Sequence, residues 1–333
     1  MMKNTRIERR RFLQSLAAMS VAPSAMLLPG TAFAAYPDRP ITLIVPWGAG
    51  GGADMVARSM AGNMERDLDR PINVVNRTGG GGLVGHSAIA AAAPDGYSLG
   101  IATLEICLYK LIGLGDITPA NFTPLARVGY NPGGLSVSAD SPYKTIQELA
   151  DAIKAAPAGK FKVSGAGVGS SWHINSAGFM RAIGQKPSNL RWVPSQGGSP
   201  AFQELMAGSI DIVAASPLEG RSLIEAGRIR PLVITDSQRL AVFKDTPTMK
   251  EAFGVDWEMG SWTALVGPKG LSQDVIQRIL PAAKKSQDSK EFQQMVDRGY
   301  VKVWETGAEL DAFLKKFGES VEPLLHDLQL IKA

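Results

Sequence analysis

The sequence predicts an α/β fold divided into two lobes. Three observations lead there. Strand-like and helix-like periods alternate from Ile41 to the C-terminus. Two glycine-rich loops each stand between an apolar strand and a helix. Two extended stretches, Tyr130-Asn131-Pro132-Gly133-Gly134 with Leu135 to Ser138, and Asp256 to Trp262 with Thr263 to Val266, have the character of crossings between lobes. If both cross, the middle of the chain forms one lobe and the two ends the other: residues 36–137 with 260–333, and 138–259.

The first 35 residues are expected to be absent from the working protein. Arg6, Arg9, Arg10 and Arg11 precede a weakly apolar run from Phe12 to Phe33, broken by Pro23 and Pro29 and ending in Ala32-Phe33-Ala34. A basic start, a short apolar stretch and an A-x-A end describe a signal peptide, cleaved after about Ala34 or Ala35. Arg9-Arg10-Arg11-Phe12-Leu13-Gln14 resembles a twin-arginine export signal, with Glu8 where Ser or Thr is more usual. The general export route stays open as the alternative. A membrane anchor would need an uninterrupted apolar span of ~20 residues, which the sequence lacks. The expected location is the bacterial periplasm.

After this leader, Ile41 to Val45 reads as a strand and opens into Pro46-Trp47-Gly48-Ala49-Gly50-Gly51-Gly52-Ala53-Asp54. Ala53, Val56, Ala57 and Met60 then fall on one helical face. Ile72 to Val75 is the next strand, followed by the second loop, Asn76 to Gly85. Glycines permit tight turns and expose bare N–H groups, and the helix behind each loop aims its free amides at the same place. Two such cradles within ~40 residues of each other suggest one anion gripped from two sides. Ser98 to Thr103, Phe161 to Ser164, Ile210 to Ala214 and Pro231 to Thr235 are further strands. Thr145-x-x-Glu148 and Thr306-x-x-Glu309 are capping boxes for helices carrying Ile146, Leu149, Ala150 and Ile153, and Leu310, Phe313, Leu314 and Phe317. Ser272 caps a helix with Ile276, Ile279, Leu280 and Ala283.

A third loop, Ser164 to His173, again lies between strand and helix, with Ser170 and Ser171 at the N-cap position. One serine suffices for the cap, which leaves the other for a ligand. Ser195-Gln196-Gly197-Gly198-Ser199-Pro200 repeats the pattern, and Ser216-Pro217 ends the strand from Ile210. Trp47 either packs on a ligand's carbon skeleton or faces the core. Asp54, in the first turn of its helix, suits the dipole and is expected to tie down the first loop rather than touch an anion.

Charge narrows the partners. The whole chain carries a formal +4. Residues 1–35 contain Lys3 and the four arginines against Glu8, so 30 basic and 30 acidic residues remain after cleavage. A near-neutral protein without a basic stripe is a poor match for nucleic acid. Cys107 is the only cysteine, so no internal disulfide forms, and it reads as a small buried hydrophobe. Three scattered histidines and one cysteine show no metal-ligand spacing, and no cofactor is indicated.

Two enzyme readings compete. Gly48-x-Gly50-x-x-Ala53 and Gly80-x-Gly82-x-x-Gly85 match the dinucleotide fingerprint, with Asp67 or Asp69 in range of a ribose, but dense glycine runs produce such matches freely. An exported protein also meets little NAD. Gly96-Tyr97-Ser98-Leu99-Gly100 matches a hydrolase elbow, yet the turn at Pro94-Asp95-Gly96 comes first and makes Ser98 a strand residue. His86, His173 and His326 are the only candidate bases, each in a separate segment.

The residues also resemble a known family. Pro46 to Asp54, Asn76 to Gly85 with Pro94-Asp95-Gly96-Tyr97, Ser141 to Thr145, Gly169-Ser170 through His173, and Val193-Pro194 through Gly198 resemble, in order, signatures of the tripartite tricarboxylate transporter receptors, often called the Bug family. Gly208-x-x-Asp211, Ala226-Gly227-Arg228 and Trp262 to Pro268 continue the likeness. The resemblance implies a two-lobed periplasmic binding protein-like fold of type 2, with a small organic carboxylate in the cleft between lobes. It implies delivery to integral membrane permease subunits, no catalysis and a monomer. Carried over by position, it places Gly50, Gly51, Asn76, Gly80 and Gly81 around one carboxylate, with Thr103 on the floor of the same lobe and Ser170, Ser171 and His173 approaching from the other; Trp47 and Ser216 join them as candidate ligand residues. Ser195 and Gln196 replace a typical Tyr and Lys, and Ser216 stands where Asn or Asp is common, so the far end of the pocket and the identity of the acid are left open. Arg77 is the one arginine in the two primary loops, and neutral amides are expected to supply most of the recognition.

Overall fold

A computed structural model describes residues 36–327, 330 and 331. The expected leader and its cleavage site lie outside them. The described chain begins with β1 (Ile41–Val45), α1 (Gly52–Leu68), β2 (Ile72–Asn76), α2 (Leu83–Ala90) and β3 (Ser98–Thr103). β1 runs parallel to both neighbours, with Ile41 opposite Ile72 and Thr42 opposite Ser98. Parallel strands joined through helices put both glycine loops at the same strand ends. Val56, Ala57, Met60 and Met64 are buried on one face of α1, as the spacing predicts.

β4 (Phe122–Ser138) is the long strand of the fold. It is followed by α3 (Ile146–Ala155), β5 (Lys162–Ser164), α4 (Ser171–Ala182), β6 (Arg191–Trp192), α5 (Gly198–Met206), β7 (Ile212–Val213), α6 (Arg221–Glu225) and β8 (Ile229–Thr235). The chain then runs through α7 (Met249–Phe253), β9 (Gly260–Pro268), α8 (Gln273–Gln287), α9 (Lys290–Asp297), β10 (Val301–Glu305) and α10 (Gly307–Asp327). The strands form one ten-stranded system along the path β2-β1-β3-β9-β4-β7-β5-β6, with β8 and β10 also on β4.

β4 changes partners along its length. From Phe122 to Pro132 it pairs antiparallel with β9, and from Gly133 to Ser138 with β8. The change falls where a side chain cannot fit: a Cβ on Gly133 would lie 2.3 Å from the Met259 carbonyl oxygen and 2.6 Å from Thr235 Oγ1. The second crossing is regular strand only from Gly260. Just before it, Met259 donates to the Thr235 carbonyl at 2.8 Å and accepts from Gly133 N–H at 3.0 Å, so its backbone is satisfied without a ladder.

The remaining elements follow the sequence with shorter strands. β5 starts at Lys162 and β7 is two residues long, so the strands expected from Phe161 and from Ile210 to Ala214 pair over less than their apolar runs. Two of the three caps read at Thr145, Ser272 and Thr306 are made by side chains: Thr145 Oγ1 accepts from Glu148 N–H at 3.2 Å and Ser272 Oγ from Val275 N–H at 3.4 Å, whereas at the third Glu309 N–H donates to the Thr306 carbonyl at 3.2 Å. Leu310 on α10 is buried, and Phe313 and Phe317 meet Trp262 edge to face. Cys107 is a free thiol, partly rather than fully buried, and burial pushes its pKa up to about 12. Among the described residues, no helix is long and apolar enough to cross a membrane.

Candidate functional site

The two primary loops are tied together by Asp54. In the first turn of α1, its carboxylate accepts from Gly50 N–H at 2.9 Å, Arg58 Nε at 2.9 Å and Asn76 Nδ2 at 2.8 Å. Burial alone would raise this carboxyl, but the bonds from Arg58, Gly50 and Asn76 outweigh it and hold the pKa below the usual value. Asn76 also donates to the Trp47 carbonyl at 2.9 Å and accepts from Arg58 at 3.0 Å. Its amide is a strut between the loops.

Four successive glycines, Gly79 to Gly82, have positive φ, which explains the density of glycine in the second loop. At Gly82 space forbids any other residue, since a Cβ would come within 2.8 Å of both Trp47 and the Tyr109 hydroxyl. Gly80 and Gly81 line a cavity of ≈ 260 Å³ with Trp47, Val168, Ser195 and Gln196. No charged side chain lines it. The facing loop comes very close: a Cβ on Gly167 would lie 2.3 Å from Gly81 Cα. Gly48 N–H also donates to the Gln196 carbonyl at 3.0 Å, so the first loop touches the fourth.

Trp47 is buried in the core and also lines a second, small space of ≈ 30 Å³, room for about one water. Gly51, Thr103 and Ser171 share that lining. Trp47 Nε1 donates to Thr103 Oγ1 at 3.1 Å, and Thr103 Oγ1 donates onward to the Glu105 carboxylate at 2.5 Å. Glu105 is buried and also receives Ser171 N–H at 3.0 Å and Ser171 Oγ at 3.2 Å. Burial raises its pKa, opposed by these donors. Ser171 is therefore engaged by Glu105, where the sequence left it free for a ligand.

A second buried chain supports the glycine loop. His86 Nε2 accepts from Thr103 N–H at 3.2 Å, which leaves Nδ1 to carry the proton toward the Tyr109 hydroxyl at 2.7 Å. Tyr109 in turn donates to the Gly81 carbonyl at 3.1 Å. Burial pushes the His86 pKa down to about 3, so the ring is neutral and this tautomer is fixed.

The remaining candidates also make contacts within the protein. Ser170 caps α4 by accepting from His173 N–H at 3.4 Å. His173 accepts from Gly169 N–H at Nδ1 and lies 4.6 Å from Trp192 between ring centroids, with burial lowering its pKa to about 4. Ser216 is buried and donates to Asn131 Oδ1 at 2.8 Å. Arg77 is exposed. Ser98 opens β3 opposite Thr42, within a ladder rather than on a strand-to-helix turn. Sequence reasoning missed Glu105, Tyr109, Asn131 and Glu219. Glu105 follows Thr103 by two residues at the end of β3 and could have been noticed there. The others enter from turns and strands with no local signature.

Glycine loops at strand ends, meeting across a cleft in a mixed sheet, define a two-lobed solute-binding protein. BugD, a periplasmic binding protein, superposes with a TM-score of 0.83 over 90% of this chain and 100% of its own, at 27% identity. Residues 56–326 match the tripartite tricarboxylate transporter family receptors, and the chain belongs to that family. A UPF0065 protein from the tcbD-tcbE intergenic region of Pseudomonas sp. (strain P51) is 31% identical over 276 residues, 82% of this chain and 80% of its own. BugT of Bordetella pertussis is 30% identical over 249 residues, 72% of this chain and 74% of its own.

Proposed function

We propose that this chain is a periplasmic receptor that captures one small organic carboxylate between two lobes and hands it to the permease subunits of a tripartite transporter. The observation that carries this reading is the ≈ 260 Å³ cavity among Gly79 to Gly82, Gly167 and Gln196, which is lined by backbone and neutral side chains. Such a space suits an anion bound by amides rather than by a guanidinium. Gly80, Gly81 and Trp47 line it directly, and Gly50, Asn76, Thr103, Ser170, Ser171, His173 and Ser216 act by fixing the loops. Gly51 belongs to the neighbouring small space. Lobes of residues 36–137 with 260–333, and of 138–259, are supported by the change of β4 partners at Pro132 and Gly133, opposite Gly260 and Thr235. Export by the leader over residues 1–35, and action as a monomer without catalysis, complete the reading.

A thermal-shift panel on the protein lacking residues 1–35 tests it. A ligand at about a hundred times its Kd should stabilise the fold by about 2.7 kcal/mol, a rise of several degrees. Stabilisation by a narrow set of organic acids is the expected result. Stabilisation by NAD or NADP with no response to acids would replace the receptor reading by the dinucleotide one.

A further inference from the structure

α1 and α5 both begin with glycine and neither has a side-chain N-cap. The carboxyl of Glu219 lies against both starts, where it accepts from Asn131 Nδ2 at 3.1 Å, and the Gly52, Gly198 and Ser199 amides beside it favour its charged form. The seat is shaped for this group. A Cβ on Gly198 would lie 2.4 Å from Glu219 Oε2, and one on Gly51 would lie 3.3 Å from the same atom. Asn131 is oriented by Ser216, whose hydroxyl donates to Oδ1 and so turns Nδ2 toward Glu219.

A second observation concerns access. Glu219 and Asn131 line the small ≈ 30 Å³ space and also a separate cavity of ≈ 430 Å³ that includes Gly50, Arg221 and Arg298. They form the wall that the two spaces share.

We propose that Glu219 is a resident carboxylate: its side chain fills an anion seat built by the N-termini of α1 and α5, excludes external carboxylates from it, and thereby helps select which acids the protein accepts. An acid bound against the Gly79 to Gly82 loop cannot place a second carboxylate in this seat while Glu219 is there. This last consequence rests on the receptor reading, whereas the occupancy of the seat does not.

Chemical rescue tests it. Glu219→Ala empties the seat while leaving its amides in place, and sodium formate or acetate is titrated against sodium chloride at matched ionic strength, with acetamide as the neutral control. The expected result is a rise of a few degrees in Tm for the variant with formate or acetate, beyond that with chloride or acetamide, and no such rise for the wild type. Equal responses of variant and wild type overturn the proposal. Should Glu219→Ala not fold, Glu219→Ser is refolded with and without acetate: recovery that depends on acetate supports the seat, and failure in both overturns it. Because formate and acetate act on the variant alone, a wild type that ignores every larger acid would sink the receptor reading without deciding this one.

Discussion

His173, expected on the ligand, also makes contacts within the folded chain. Its ring accepts from Gly169 N–H and packs against Trp192, and burial lowers its pKa to about 4. The sign of the resulting pH effect follows from linkage. The folded state stays neutral while an unfolded histidine takes a proton near its ordinary value of about 6.5. Stability from this group is therefore complete above that pH and is lost as pH falls toward 4. His173→Gln removes the titration. Wild-type minus variant unfolding free energy, from urea melts, should rise by up to about 1.4 kcal/mol per pH unit between pH 4 and 6.5. A flat difference would place His173 in water. Glu219 acts in the opposite sense: burial raises its carboxyl to about 7, so its ionisation opposes folding as pH climbs from the ordinary carboxylate range toward that value. The comparison must be made against the single variant rather than read from the wild-type curve.

At the scale of elements, the loop after β2 and the loop before α4 approach until backbone meets backbone. Gly167 has no positive φ, so alanine is locally allowed, but its Cβ would lie 2.3 Å from Gly81 Cα and the loops would have to part. Arg77, exposed beside the same loop, lines none of the cavities described above. Calorimetry with whichever acid stabilises the wild type should show Gly167→Ala losing about tenfold or more in affinity, ~1.4 kcal/mol, and Arg77→Ala changing it by less than about twofold. The wild type should also bind almost as well at moderate as at low ionic strength, because amides in a closed cleft are poorly screened. A larger loss for Arg77→Ala, with both variants folded, would mean that a guanidinium grips the carboxylate.

At the scale of the whole molecule, contacts such as Gly48 N–H to the Gln196 carbonyl and Ser199 Oγ to the Gly50 carbonyl, 2.8 Å, join segments far apart in sequence around the cleft. If the two lobes move about β4 and the stretch before β9, such contacts open and re-form as a ligand is taken up. Small-angle scattering of protein unfolded and refolded free of ligand should show a radius of gyration that falls when a saturating acid is added. Identical curves with and without it would argue against a moving cleft.

The sequence by itself determined the alternation of strands and helices, the caps at Thr145, Ser170 and Ser272, the glycine loops and the family, because each is written in residues near one another in the chain. Apolar spacing identifies the buried face of α1, and Gly79 to Gly82 supply φ values that other residues adopt only with strain. It also identified Asp54 as the tie of the first loop, since its place in the first helical turn puts Gly50 N–H within reach. Only the tertiary structure decided what each polar side chain touches. Ser171 meets Glu105 across 66 residues, Tyr109 reaches Gly81 across 28, and Glu219 meets Asn131 across 88. Such partners are chosen by where distant loops arrive, and a buried polar group takes whichever partner satisfies it there. For the same reason the carboxyl of Glu219 comes to lie against Gly51 and Gly198 at the starts of α1 and α5, which no local pattern around Glu219 announces.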